Sequence, residues 1–264
     1  PVRNLGSVTV DQPLAFDAGG GTAFTNEGTV TMTQPVTASG AAFRNLAGSI
    51  AGTGAGQLTL VSGSTFQQGD GGTAGNPVVL RQSDLEYLPS SSGTSAFVAH
   101  QSMGLAGDLP STSSLTIEAV ACSYNTSVTA SASFTNAGTI RLTSGGCGAA
   151  YALLEGPGLI TNTGTIDVDP GSGGDRYLRA SVLNQGTVTV DQPLAYDQSG
   201  STFTNQGAVT LTQPMAATGA TLRNQAGSID ASGAGAVTVA NGTLVQTGGS
   251  TSGNPVVVRN STLT

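Results

Sequence analysis

Phe24-Thr25-Asn26-Glu27-Gly28-Thr29-Val30-Thr31-Met32 sets the grammar of the chain: apolar, polar, Asn, any residue, Gly, a small hydroxylated residue, a β-branched residue, polar, apolar. The same order returns at Val2-Arg3-Asn4, Phe43-Arg44-Asn45, Phe134-Thr135-Asn136, Ile160-Thr161-Asn162, Val182-Leu183-Asn184, Phe203-Thr204-Asn205 and Leu222-Arg223-Asn224. Each copy runs on through a glycine: Gly6, Gly28, Gly48, Gly138, Gly164, Gly186, Gly207 and Gly227. Successive glycines are 22, 20, 90, 26, 22, 21 and 20 residues apart. Two places after them stand Val8, Val30, Ile50, Ile140, Ile166, Val188, Val209 and Ile229, all β-branched and apolar. The intervening position is small and mostly hydroxylated, which gives the period of two of a strand with one buried face.

A unit of some twenty residues cannot bury such a face alone, so neighbouring units must stack. The expected fold is all-β: a right-handed parallel β-helix, or β-solenoid, with coils of about 20–26 residues. Each inward position then becomes a column, with Phe24 above Phe43 and Phe203 above Leu222. The glycine is expected at a corner, where it tolerates φ > 0. The paired asparagines (Asn4, Asn26, Asn45, Asn136, Asn162, Asn184, Asn205, Asn224) tolerate the left-handed region too. Stacked, their amides can form a hydrogen-bonded ladder; whether they point inward stays open at this level.

Composition agrees with a solenoid. The 264 residues include 39 Gly, no Trp and one His, and only 9% are charged. All eight positive charges are Arg, and the net charge of −7 leaves no basic stripe for nucleic acid or an anionic membrane. No apolar run approaches the ~20 residues of a membrane helix.

Residues 55–133 lose the corner motif but keep strands expected near 58–60, 78–80, 97–99 and 115–117. From Asn184 the chain begins again: residues 186–196 copy 6–16, and Asn254-Pro255-Val256-Val257 repeats Asn76-Pro77-Val78-Val79. The expectation is one continuous solenoid over 1–264, with a long unit, 1–182, followed by a partial second, 183–264. Neither end carries a distinct polar cap, so the chain reads as a piece of a longer tandem array continuing into further repeats of the same parent.

Candidate chemistry is sparse. Cys122 and Cys147, 25 residues apart, suit a disulfide between adjacent coils and an oxidising compartment, or two buried free thiols. A metal site on two cysteines lacks further ligands. His100 has Asp84, Glu86 and Asp108 as its nearest acids in sequence; a structural His is the preferred reading over a catalytic one. Asp11/Asp17 and Asp191/Asp197 recur six apart, suggesting Ca²⁺ or, preferably, plain turn formation. Outward threonines hint at an ice-binding array, but its column reads Thr9, Thr31, Ala51, Arg141, Asp167, Thr189, Thr210, Asp230.

The Phe/Leu-x-Asn-x-Gly-Thr-Val/Ile-x-Val/Leu units resemble the coils of bacterial surface β-helices of the filamentous haemagglutinin and autotransporter-passenger type, over residues 1–54 and 134–231. The resemblance implies a stalk or passenger segment of an extracellular or cell-surface adhesin, without catalysis or cofactors. Its partner would be a host or neighbouring-cell glycan or protein. It implies no nucleic acid and no membrane insertion of this segment, and it carries over no active site. The alternatives are a polysaccharide-binding or polysaccharide-cleaving β-helix and an ice-binding solenoid.

Overall fold

A computed structural model describes residues 1–264 except Ala18, Gly20, 121–123, Cys147 and Ala149. The described residues are all-β, without helix, and their parallel strands stack in about 12 coils to make a β-solenoid. The chain divides into two compact units, Pro1–Thr116 and Ile117–Thr264.

In the first unit each coil contributes to three stacks. The first contains Val2–Asn4, Ala23–Asn26, Ala42–Asn45 and Thr65–Gln68. The second contains Ser7–Val10, Thr29–Met32, Ser49–Gly52 and Gly72–Gly75. The third contains Leu14–Asp17, Val36–Ser39 and Leu58–Val61. The longer strands Val78–Tyr87 and Ser95–Ala106 each serve the third stack with their first half and the first stack with their second.

The second unit repeats the plan. Its first stack runs from Phe134–Asn136 through Thr202–Asn205 and Thr221–Asn224 to Thr243–Gln246. Its second runs from Thr139–Ser144 to Ser250–Gly253. Its third begins at Thr126–Ala130 and continues through 152–155, 176–179, Leu194–Tyr196, Met215–Thr218 and Val237–Ala240. The internal duplication is visible as equivalent register: Leu14, Val36 and Leu58 stack as Leu194, Met215 and Val237 do.

Like residues superpose inside. Val30 and Ile50 in one unit, and Ile140, Ile166, Val188, Val209 and Ile229 in the other, are in register and buried; only Val8, in the first coil, is half-exposed. Phe24 packs on Phe43 with ring centroids 4.8 Å apart, Phe43 on Phe66 at 5.7 Å and Phe66 on Phe97 at 5.0 Å. Phe43, Phe66 and Phe97 are buried, and each contributes roughly 1.5–3 kcal/mol before entropy is subtracted; Phe24 is half-buried.

The asparagines point inward and form the ladder. Asn4 Nδ2 donates to Asn26 Oδ1 at 2.8 Å, and Asn26 Nδ2 to Asn45 Oδ1 at 3.0 Å. In the second unit the donations run Asn136→Asn162→Asn184→Asn205→Asn224 at 2.7, 2.8, 2.8 and 3.0 Å, then to Gln246 Oε1 at 3.3 Å. The second N–H of each amide reaches a carbonyl of the next coil, as Asn184 does to Ala208 at 3.1 Å and Asn205 to Ser228 at 3.0 Å. All these donations run the same way along the stack. Asn4, Asn26, Asn136, Asn162, Asn184, Asn205 and Asn224 thus each find two acceptors for the NH₂ group, as buried polar groups require, whereas Asn45 donates to the Gly72 carbonyl alone.

The corner glycines differ from expectation. Among Gly6, Gly28, Gly48, Gly138, Gly164, Gly186, Gly207 and Gly227, only Gly48 has φ > 0. The need for glycine is spatial: a Cβ on Gly28 would lie 2.1 Å from Gly6 O, and one on Gly207 2.1 Å from Gly186 O. Backbones of successive coils nearly touch there. Left-handed residues recur instead on the way from the second stack to the third, at Gly54, Gly75, Gly233 and Gly253, and at the corner between the third stack and the first. In the first unit it is occupied by Gly40, Ser62, Gln82 and Gln101, with φ of 60°, 54°, 50° and 68°. In the second unit Gly219, Asn241 and Asn260 do the same at 68°, 53° and 48°.

Candidate functional site

The most chemically varied surface lies on the outside of the third stack of the second unit. Strands 152–155 and 176–179 pair with Leu153 opposite Tyr177 and Glu155 opposite Arg179, which puts Glu155, Tyr177 and Arg179 on the outer side, with Leu153 buried beside them. The alternate positions, Leu154 and Leu178, fill the interior. Tyr151 and Tyr177 meet edge to face at 5.2 Å. The Arg179 guanidinium lies 4.5 Å from the centre of the Tyr177 ring, within cation–π range.

Arg179 is held from a second side. Its Nε donates to Asp197 Oδ1 at 2.7 Å and its Nη2 to Asp197 Oδ2 at 2.9 Å, a bidentate pair bridging adjacent coils. Asp197 keeps its carboxyl below the usual range through that hydrogen bond, and Arg179 is raised correspondingly by Asp197. Tyr177 is raised, first by burial and then by donating its hydroxyl to Asp175 Oδ2 at 3.1 Å. Glu155 accepts from Thr129 Oγ1 at 3.2 Å. Although Glu155 and Arg179 are register partners, no ion pair joins them among the described residues. Arg179 turns the other way, to Asp197.

Unequal corners turn this surface into a notch. Between Glu155 and Ile160 the chain inserts residues 156–159, whereas between Arg179 and Val182 it inserts only Ala180 and Ser181. The next coil spends residues 198–202 between Asp197 and Phe203. A tight corner is therefore flanked by two wide ones. The resulting open cavity, about 320 Å³, is lined by Thr129, Glu155, Gly156, Pro157, Arg179 and Gln198.

One buried residue nearby has no counterpart in the repeat. Arg176 takes an inward position, in register with Ala152 and Leu194, and is fully buried. Its Nη1 donates to the carbonyls of Gly173 at 3.1 Å and Gly174 at 2.9 Å, and its Nη2 to that of Asp169 at 3.3 Å. Burial lowers its pKa. It serves as an internal tie for the loop 169–175, with small Ala152 leaving the space.

His100 is buried at 8% exposure, opposite Arg81 in the strand Ser95–Ala106. Asp84 accepts from the Gly104 N–H at 3.1 Å, and Glu86 from Gln67 at 2.6 Å. Asp191 accepts from Thr212, while Asp197 is taken by Arg179, so that acidic pair has separate partners. No group of three or more His, Cys, Asp or Glu is placed to hold a metal among the described residues. Cys122 and Cys147, the disulfide candidates, lie outside the described residues. The second-stack outward column does read Arg141, Asp167, Thr189, Thr210 and Asp230 in register, so charges interrupt its threonines.

Tyr177, Arg179 and the notch were not anticipated from the sequence. The available signal was the uneven spacing of the motif glycines, 26 residues from Gly138 to Gly164 and then 22 and 21. No family model, curated protein or solved structure matches this chain.

Proposed function

We propose that the chain is a structural segment, a stalk or passenger repeat, of a bacterial cell-surface or secreted adhesin, with no catalytic chemistry of its own. The observation that carries this reading is the use to which polar groups are put. The buried amides run from coil to coil as ladders. The ion pairs Arg3–Glu27, Arg141–Asp169 and Arg179–Asp197 likewise join one coil to the next. Such a design favours extension and resistance to fraying over the convergence of reactive groups.

The test is to display the chain on a bacterial surface between an anchor and a reporter epitope, with and without a duplicate of residues 183–244, three whole coils by register. The reporter should rise by about 4.8 Å per added coil, the ordinary strand spacing. A reporter height independent of coil number would overturn the reading. Release of reducing ends from polysaccharide by the purified chain would do so too. The polysaccharide-binding alternative is favoured by a separate observation, the notch.

A further inference from the structure

We propose that the notch over Arg179 is a binding subsite for one neutral pyranose unit of a glycan, recognised through a pair of neighbouring hydroxyls. The argument starts from its shape. The walls, formed by the wide corners at Gly156-Pro157 and at Gln198, are two coil steps apart, with the tight corner of Arg179 as the floor. Removing the floor coil's corner opens one strand spacing, about 4.8 Å, between them. That admits a single ring set edge-on and excludes a folded polypeptide surface.

The chemistry of the lining is split in the way a diol requires. Of the five N–H donors of a guanidinium, Arg179 commits two to Asp197, which fixes the side chain and leaves donors for a ligand. Tyr177 supports the same guanidinium from its other face. Glu155, one coil away, accepts one hydrogen bond from Thr129 and retains acceptor capacity toward the cavity. A hydroxyl donating to Glu155 and a neighbouring hydroxyl accepting from Arg179 satisfy both. Because no ion pair joins Glu155 to Arg179, the ligand need not break one.

Charge selects among sugars. Glu155 lines the cavity and Asp197 holds its Arg179, two carboxylates against one guanidinium, so uronic and sialic acids meet a net negative site. Desolvating a sugar carboxylate there costs more than the single Arg returns. Neutral hydroxyls escape that penalty. Pro157 and the aliphatic part of Gln198 supply the apolar contacts that a pyranose face requires.

The experiment is saturation-transfer NMR on the whole chain with methyl glycosides of neutral pyranoses, and with galacturonic and sialic acid glycosides alongside. A single sugar in so open a site should bind with a Kd on the order of millimolar. Glu155→Gln should weaken binding at least tenfold, and Gln198→Trp, which fills the cavity from a surface corner, should abolish it. Circular dichroism of both variants should be unchanged. The proposal is overturned by an absence of transfer across the neutral panel, by transfer that survives both substitutions, or by stronger binding of the acidic sugars. The stalk reading stands or falls separately, on reporter height.

Discussion

Asn205 offers the sharpest test of the buried ladder. It is fully buried, donates to Asn224 Oδ1 and to the Ser228 carbonyl at 3.0 Å each, and accepts from Asn184 at 2.8 Å. Asn205→Ala strands one N–H of Asn184 and the Oδ1 of Asn224 in a dry interior. At about 1–3 kcal/mol per orphaned group, the expected loss is roughly 2–5 kcal/mol. That is a large part of ordinary domain stability. A repeat array loses protection locally first, so the assay is hydrogen exchange followed by mass spectrometry over peptides covering 202–231. Exchange there should accelerate roughly a hundredfold, about one decade per 1.4 kcal/mol. Asn205→Asp adds a pH signature. The new carboxylate places an acceptor against two acceptors, so its folded pKa lies above the unfolded value of about 3.9. The folded state then binds the proton more tightly, and stability is recovered as pH falls through the folded pKa. Asn205→Ala has no such recovery. Urea melts followed by circular dichroism at pH 7 and pH 4 separate the two. A cost below about 0.5 kcal/mol for Asn205→Ala, or identical pH profiles for both variants, refutes a sealed ladder.

Gly207→Ala should cost roughly 2–4 kcal/mol in urea melts, because its Cβ meets Gly186 O at 2.1 Å where Ala208 N–H also closes on Gly186 O at 2.9 Å. Gly6→Ala, with nothing within 4 Å, should stay within about 0.5 kcal/mol; equal costs would return the motif glycine to a conformational role. Tyr196 donates to the Ala180 carbonyl at 2.9 Å, and burial pushes its pKa up to about 12. Above pH ~10 the unfolded chain loses this proton first, so stability should fall as pH rises from 10 to 12; Tyr196→Phe should flatten that part of the curve in alkaline melts. Arg176→Met should release the carbonyls of Gly173 and Gly174, seen as faster exchange confined to residues 169–176. An unchanged exchange pattern would show that the loop holds itself.

Alternation within the motif, and its return every twenty-odd residues, was enough to specify parallel stacking and the interior columns. Val188 and Val209 superpose because residues two places past a stacked glycine have no other inward direction to take. The same periodicity identified Asn205 as part of a column but left its direction open. An amide can face water or a neighbour, and only the next coil, 2.8 Å away at Asn184, supplies the partner that makes burial tolerable. Glycine was legible as a corner, yet its reason was not: Gly28 is needed because Gly6 O lies beneath it, a contact between residues 22 apart. The notch belongs wholly to the tertiary structure. It arises because three consecutive corners of unequal length lie side by side, and because Arg179 chooses Asp197 over Glu155. Periodic residues carry their neighbours' identity with them. Corner lengths and long side-chain directions do not, since they are settled by whichever coils happen to be adjacent.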